Sequence, residues 1–178
     1  MNIDFIDLLI AMAERRRSLK QEAFLFHQDS AVNAVYVVQE GAIELTRYQE
    51  DGSSIILQHA GRHSLVAEAS VYSDVYHCHA VAVEPTSVFE VSKATFLGCF
   101  REDSEFAQLW AQHLAREVQS ARVRSEILSR KTVADRLDGW LAWRNEDLPA
   151  KGQWKSVATQ IGVSAEALYR ELAKRRPA

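Results

Sequence analysis

SEFAQLWAQHLAREVQSARVRSEILSRK, residues 104–131, holds neither glycine nor proline and consists mostly of good helix formers, so it predicts one long helix. Along it Ala107, Ala111, Leu114, Val118, Ala121, Ser125 and Leu128 recur at alternating spacings of four and three. That is a narrow seam with a mean period of about 3.5 residues, the kind that pairs with a second helix. A helix of ~28 residues spans roughly 42 Å, more than one small domain needs to cover its core. Such a helix joins two domains, two subunits, or both. The competing reading is an amphipathic helix packed on its own domain. Small residues in the seam allow close approach but bury little area, so paired helices need further contacts. The candidate subunit interface is Ala107, Trp110, Leu114, Val118, Ala121 and Leu128.

At 178 residues and 47% hydrophobic, the chain can bury a substantial core in one or two domains. No run approaches the ~18 apolar residues of a membrane span. The start, MNIDFIDLLIAMAERRR, places its arginines after the apolar part, which is backwards for a secretory signal. Two cysteines, Cys78 and Cys99, make no disulfide framework, and a reducing cytoplasm is expected. Net charge is −3, which argues against a general nucleic-acid sponge. Its distribution says more. From Lys151 onward six Lys/Arg face two Asp/Glu, a local +4 that leaves −7 for the remainder. An acidic body with a basic end suggests one segment that meets a polyanion.

Ile3 to Arg16 predicts a short amphipathic helix with Ile6, Leu9, Ile10 and Met12 on one side. From about Ser18 the pattern changes to short strands. Ala34–Val38 ends at the Glu40-Gly41 turn, and Ala42–Arg47 alternates apolar and polar with period two. Asp51-Gly52 is a hairpin signal, followed by Ile55-Ile56-Leu57. Gly61 marks the next turn, and strands at His79–Val83 and Ser87–Val91 flank Glu84-Pro85. Many short strands at close spacing imply a sandwich, roll or barrel. A short helix, Lys93–Phe100, leads into the long one, where Ser104 is the expected N-cap.

This order of elements resembles the sensory half of the Crp/Fnr transcription regulators, a cyclic-nucleotide-binding-like β-roll followed by a dimer helix. The resemblance rests on Tyr36–Leu45 (YVVQEGAIEL), on Asp51-Gly52 and on Ala67–Tyr72 (AEASVY), and it covers essentially the whole chain. Gln28-Asp29 stands where the family commonly has Gly-Asp, so the turn there is expected to form without its usual residue of positive φ.

In cyclic-nucleotide-binding members, the segment after the strand ending near Val66 cradles the cyclic phosphate. A glutamate there holds the ribose hydroxyl, and an Arg-Ser pair about ten residues later holds the phosphate. The resemblance therefore implies an effector pocket at Glu68, Ala69, Ser70, Cys78 and His79. Glu68 fits the acidic position, but a thiol and a largely neutral imidazole replace the Arg-Ser pair. With Arg62 as the nearest arginine in sequence, cyclic AMP is not expected to bind. His77-Cys78-His79 with Glu84 also reads H-x-H-x4-E, which resembles the first metal motif of the cupins, β-rolls that are often metal-dependent oxygenases. The glycines flanking that motif are replaced by Val71 and Val91, and the only later histidine is His113, in the long helix. The favoured reading is two histidines in a short loop, with no metal. Some Crp/Fnr relatives carry a cysteine cluster or a haem ligand pair. Two cysteines 21 positions apart cannot supply four thiolates from one subunit, and no cofactor is expected.

Past the long helix, Thr132 is placed to cap a helix over Val133–Trp143 with Val133, Leu137, Trp140 and Leu141 as its apolar stripe. Leu148–Gly152 is the connecting loop. Then comes WKSVATQIGVSAEALYRELAKRR, residues 154–176. Val157, Ala158 and Ile161 face inward, Gly162 turns the chain, Ser164 caps the next helix, and Leu168 and Leu172 continue the core. An alanine four residues before a turn glycine lets two helices cross closely, which is the physical core of a helix-turn-helix. In Crp/Fnr proteins the recognition helix begins with Ser, has Glu two positions on and Arg four beyond; Ser164, Glu166 and Arg170 match that pattern. Arg170 can equally be a solvated residue paired with Glu166 at i,i+4. Lys174, Arg175 and Arg176 are the expected phosphate contacts. Family members continue into a β-hairpin wing whereas this sequence stops at Pro177-Ala178, so the wing's phosphate contacts are expected to be missing.

The expectation is thus an α+β chain: an N-terminal β-roll of double-stranded β-helix or jelly-roll type over residues 1–103, a dimerisation helix over 104–131, and a small all-α helix-turn-helix domain over 132–178. The resemblance implies a homodimeric, cytoplasmic transcription regulator that binds a palindromic double-stranded DNA site. RNA polymerase and a small-molecule effector are its further implied partners. Two alternatives are a sensor or interaction module without a working DNA reader, and a cupin-like metalloenzyme.

Overall fold

Ala34–Val38 is apolar at every position because its strand is covered on both faces. In the computed structural model, which describes residues 4–52, 54–145 and 147–175, two four-stranded sheets form. One has β1 (Arg15–Leu19), β8 (Thr86–Ser92), β3 (Ala34–Glu40) and β6 (Leu65–Val66) side by side in that order. The other has β2 (Phe24–Phe26), β7 (His79–Ala82), β4 (Ile43–Tyr48) and β5 (Ser54–Ala60). All pairings are antiparallel. Tyr36 and Val38 on β3, Ile43 and Leu45 on β4, Ala80 and Ala82 on β7 and Val88 on β8 share one core cluster. Phe26 and Tyr76 stack inside it with ring centroids 3.7 Å apart. Helices α1 (Phe5–Ala11) and α2 (Lys93–Glu102) pack on β3 and β8. This is the expected roll followed by helices.

The chain divides into two compact units, Met1–Gln112 and His113–Ala178, with helix α3 (Ser104–Ser129) beginning in the first and ending in the second. In the first unit Phe5, Phe96, Phe106 and Trp110 close over one another, with centroids 5.0–5.7 Å apart. Ring pairs of this kind add about 0.5–1.5 kcal/mol each beyond their area. In the second unit Ile127 joins α4 (Val133–Arg144), α5 (Trp154–Gln160) and α6 (Ala165–Lys174) around Leu137, Trp140, Val157, Ile161 and Leu168.

Three local expectations are corrected. The first helix does not run to Arg16: it ends at Ala11, and Arg15–Arg17 enter β1, where they pair with Glu90, Phe89 and Val88. Backbone pairing to β8 outweighs the helical propensity of three arginines, and their charge suits an edge strand that must not recruit another. Ile3, at the start of that expected helix, lies outside the described residues. The N-cap of α3 is Asp103, not Ser104, since Asp103 Oδ1 accepts from the backbone N–H groups of Glu105 (2.9 Å) and Phe106 (3.1 Å). The Gln28-Asp29 turn does use a positive φ, +65°, taken by Asp29 itself. Aspartate tolerates that region better than most residues with a side chain.

Candidate functional site

Unit two builds its turn from short-range rules. Val163 N–H donates to Ala158 O (3.0 Å) and Gly162 N–H to Thr159 O (3.1 Å), the paired bonds of a Schellman cap with Gly162 at φ +65°. The positive φ is what favours glycine there; an added Cβ would also sit 2.8 Å from Leu128 Cδ2, a side-chain tip that could move aside. Ser164 then starts α6, its hydroxyl accepting from Ala167 N–H at 3.1 Å. Leu168 and Leu172 point into the core, leaving Glu166, Tyr169, Arg170 and Lys174 exposed. The Glu166 carboxylate is held below its ordinary value by its own backbone N–H, then by the Ser164 hydroxyl and the charge of Arg170. Two residues here escape a sequence reading. Tyr169, one position from Arg170, rests its ring 5.5 Å from Trp154 while staying exposed. Arg136 donates from Nη1 to Gly162 O (2.9 Å) and from Nε to Arg130 O (2.9 Å), tying α4 to the turn.

Arg175 is placed differently from its expected role as a phosphate contact. It pairs with Asp138 and, from Nε, with Glu171 (2.9 Å), and Nη2 donates to Ala134 O (3.2 Å). Those bonds, Asp138 first, raise its pKa and tether α6 to α4. Lys174 lies 3.9 Å from Glu171. Arg176 lies outside the described residues.

The seam of α3 is divided. Trp110 is 2% exposed inside the first unit, so it is not free to meet a second helix. Leu128, 37% exposed, leans on the Gly162 turn. Ala111, Val118, Ala121 and Ser125 are exposed, and Ala107 and Leu114 are half-buried. Val118, at 49%, is a large apolar side chain left to solvent in a single chain.

The effector segment folds as a 3-10 turn, Glu68–Ser70, entered through Ala67 at φ +76°. Ala69 is exposed, Ser70 and Cys78 are buried, and Glu68 and His79 are half-buried. Cys78 belongs to the roll's core, and burial pushes its thiol pKa up. Ser70 Oγ and His77 Nδ1 lie 2.8 Å apart. His79 turns elsewhere: its Nδ1 accepts from Gln28 N–H at 3.2 Å, and its ring meets the edges of Phe24 and Tyr48. The two histidines thus serve different surroundings and do not converge. A cation that does reach this region is Arg47 of β4, whose Nη2 donates to His77 O at 2.9 Å. Thirty positions separate Arg47 from His77, and only the β4–β7 pairing, with Thr46 opposite His79, brings them together.

Residues 16–103 match the cyclic nucleotide-binding domain family. Transcriptional activator protein Anr of Pseudomonas protegens is 24% identical over 152 residues, covering 85% of this chain and 62% of its own length. The anaerobic regulatory protein of Bacillus subtilis is 24% identical over 137 residues, 74% of this chain and 56% of its own. Among solved structures, FixK2 from Bradyrhizobium japonicum superposes with a TM-score of 0.77 at 20% identity, covering 90% of this chain and 83% of that one. The c-di-GMP-responsive regulator CLP of Xanthomonas campestris gives 0.69 at 17%, covering 96% and 89%.

The chain carries a cyclic nucleotide-binding domain and is similar to regulators of the Crp/Fnr kind.

It spans 62% of the length of the Anr relative. The Anr relatives are named as transcriptional activators, and no enzyme name stands among these relatives. Among the described residues, no helix is long and apolar enough to cross a membrane.

Proposed function

We propose that this chain is a DNA-binding transcription regulator that works as a cytoplasmic homodimer. In it residues 1–103 sense, 104–131 dimerise and 132–178 read DNA, with RNA polymerase as the partner it acts on. The observation that carries the reading is the exposed face of α6 and its cap, where Ser164, Glu166 and Arg170 stand clear of a core that fixes the helix from behind. The N-terminal end of a helix suits a phosphate, and a guanidinium beyond it can reach a base edge. Lys174 is the phosphate contact expected on the same helix; Arg175 serves the fold. The Anr relatives, named as transcriptional activators, support this reading.

Cyclic AMP is not its effector in this reading. Cys78, at the position of the phosphate-binding arginine, is 1% exposed, and Arg47 is tied to the His77 carbonyl. A different small molecule is therefore the expected signal.

Selection of bound DNA from a random pool with purified protein tests function and operator together. A palindromic consensus with half-sites roughly 34 Å apart is expected. Recovery of no consensus, with no salt-dependent mobility shift on any fragment, would favour an interaction module without a working reader.

A further inference from the structure

The arginines of β1 form a feature that DNA reading does not use. Arg15, Arg16 and Arg17, with Asn33, Tyr36 and Glu90, line a cleft of about 690 Å³ in the first unit. Arg15 pairs with Glu90 on β8, and Glu90 with Tyr36 on β3, so these three lie in one row across the sheet. Residues two apart on a strand share a face, which puts Arg17 beside Arg15. The Arg17 guanidinium lies 5.9 Å over the Tyr36 ring and 3.7 Å from Glu90, while Arg16 rests 5.9 Å over Phe89.

On this face two guanidinium groups, Arg15 and Arg17, meet one carboxylate, Glu90, while Arg16 lies on the other face over Phe89. Glu14, the nearest other acid in sequence, accepts a hydrogen bond from the Thr95 hydroxyl and also feels the charge of Arg15. Arg15 has no salt bridge among the described residues, and the Arg17–Glu90 pair is long and carries no hydrogen bond. The cleft therefore keeps an excess positive charge of about +1, and its volume is within the size range of small-molecule sites. Guanidinium forks match phosphate oxygens in pairs. With their Cα atoms ~6.6 Å apart, Arg15 and Arg17 suit two anionic groups better than one. Glu90 repels a bare polyanion but can accept from a hydroxyl, and the Asn33 amide adds a neutral partner.

We propose that this cleft binds an organic diphosphate, its phosphates on Arg15 and Arg17 and a sugar hydroxyl on Glu90. The site is separate from α6 and stands whether or not α6 reads DNA.

Calorimetry on the full chain with ADP, fructose 1,6-bisphosphate and inorganic pyrophosphate tests it. One or both organic ligands should bind saturably at one per chain, more tightly than pyrophosphate, and the tighter of the two names the source. Arg15→Gln and Arg17→Gln should each weaken that binding about tenfold or more, whereas Lys174→Gln, at the other basic end, should not change it. Arg15 makes no salt bridge among the described residues, so Arg15→Gln decides the matter even where Arg17→Gln unfolds. No saturable heat at millimolar ligand, equal affinity in Arg15→Gln, or a loss that follows Lys174→Gln instead would overturn the proposal.

Discussion

Arg136 reaches from α4 to the carbonyl oxygen of Gly162, 2.9 Å away, and so holds the turn that sets the angle of α6. The same side chain bonds Ile161 O at 3.3 Å and Arg130 O at 2.9 Å. Arg136→Met keeps the stem and removes the fork, leaving three carbonyls, those of Arg130 and Ile161 in partly buried bonds, to find water. A loss of about 2–3 kcal/mol from the second unit is expected, read as a lower urea midpoint for the transition that quenches Trp140. Arg136→Lys should recover less than half, because one ammonium cannot span the three acceptors. An unchanged midpoint in Arg136→Met would show that the fork is ornamental.

Much of this was legible in the chain, and the exceptions share a cause. Period-two alternation at Ala42–Arg47, the Asp51-Gly52 hairpin and the Ala158/Gly162 pair are local signals, and each sits in the expected element. Arg15–Leu19 was not readable as a strand, since its reason for being one is β8, about seventy residues away. Arg47 beside His77 and Arg175 on Asp138 are likewise long-range pairings that no spacing rule announces. Trp110 satisfied the helical pattern of a seam, yet Phe5 and Phe96 claim it. Periodicity identifies an apolar face but not which neighbour covers it.

His77 supplies a pH signature. Burial first, and then the charge of Arg47, hold its imidazole below the ordinary value of 6.5. The unfolded chain therefore takes up this proton before the folded one does. The stability tied to neutral His77 is present in full above pH 6.5 and is lost as pH falls through the lower folded value. Thermal melts of wild type should drop more steeply between about pH 7 and pH 5 than those of His77→Gln. Parallel pH profiles for the two proteins would remove His77 from the account.

Cyclic AMP should give no saturable heat by calorimetry at millimolar nucleotide. Cys78 offers the phosphate no cation and is itself part of the core. A clear one-site isotherm would mean that Arg47 leaves His77 O and takes the phosphate; Arg47→Ala would then abolish it.

Dimer formation should run through the exposed part of α3. Val118 and Leu114 have no complete cover within the chain, and Trp110 cannot help them. Leu114→Glu places like charges across a two-fold seam and should yield monomers at micromolar protein in a sedimentation experiment. Wild-type protein that sediments as a monomer under the same conditions contradicts this use of the helix.

Arg170 carries the sharpest expectation. It is exposed on α6, one turn beyond Glu166, and its guanidinium is long enough to place a bidentate fork on guanine O6 and N7. Glu166, ionised and held low in pKa, can accept from a cytosine amino group one turn earlier. Arg170→Ala should cost ~1–3 kcal/mol on the preferred site and relax its sequence at one base pair. Lys174→Ala should instead weaken all sequences alike and lower the salt slope by about one unit. Arg175→Ala separates a third behaviour: with its side chain bound to Asp138, Glu171 and Ala134, it should lower the stability of the second unit and leave the salt slope nearly unchanged. These three outcomes are distinct in one set of mobility-shift titrations at several salt concentrations, with melts run beside them. Arg170→Ala protein that keeps both its affinity and its preferred sequence would end the assignment of α6 as the reading helix, whatever the other two variants do.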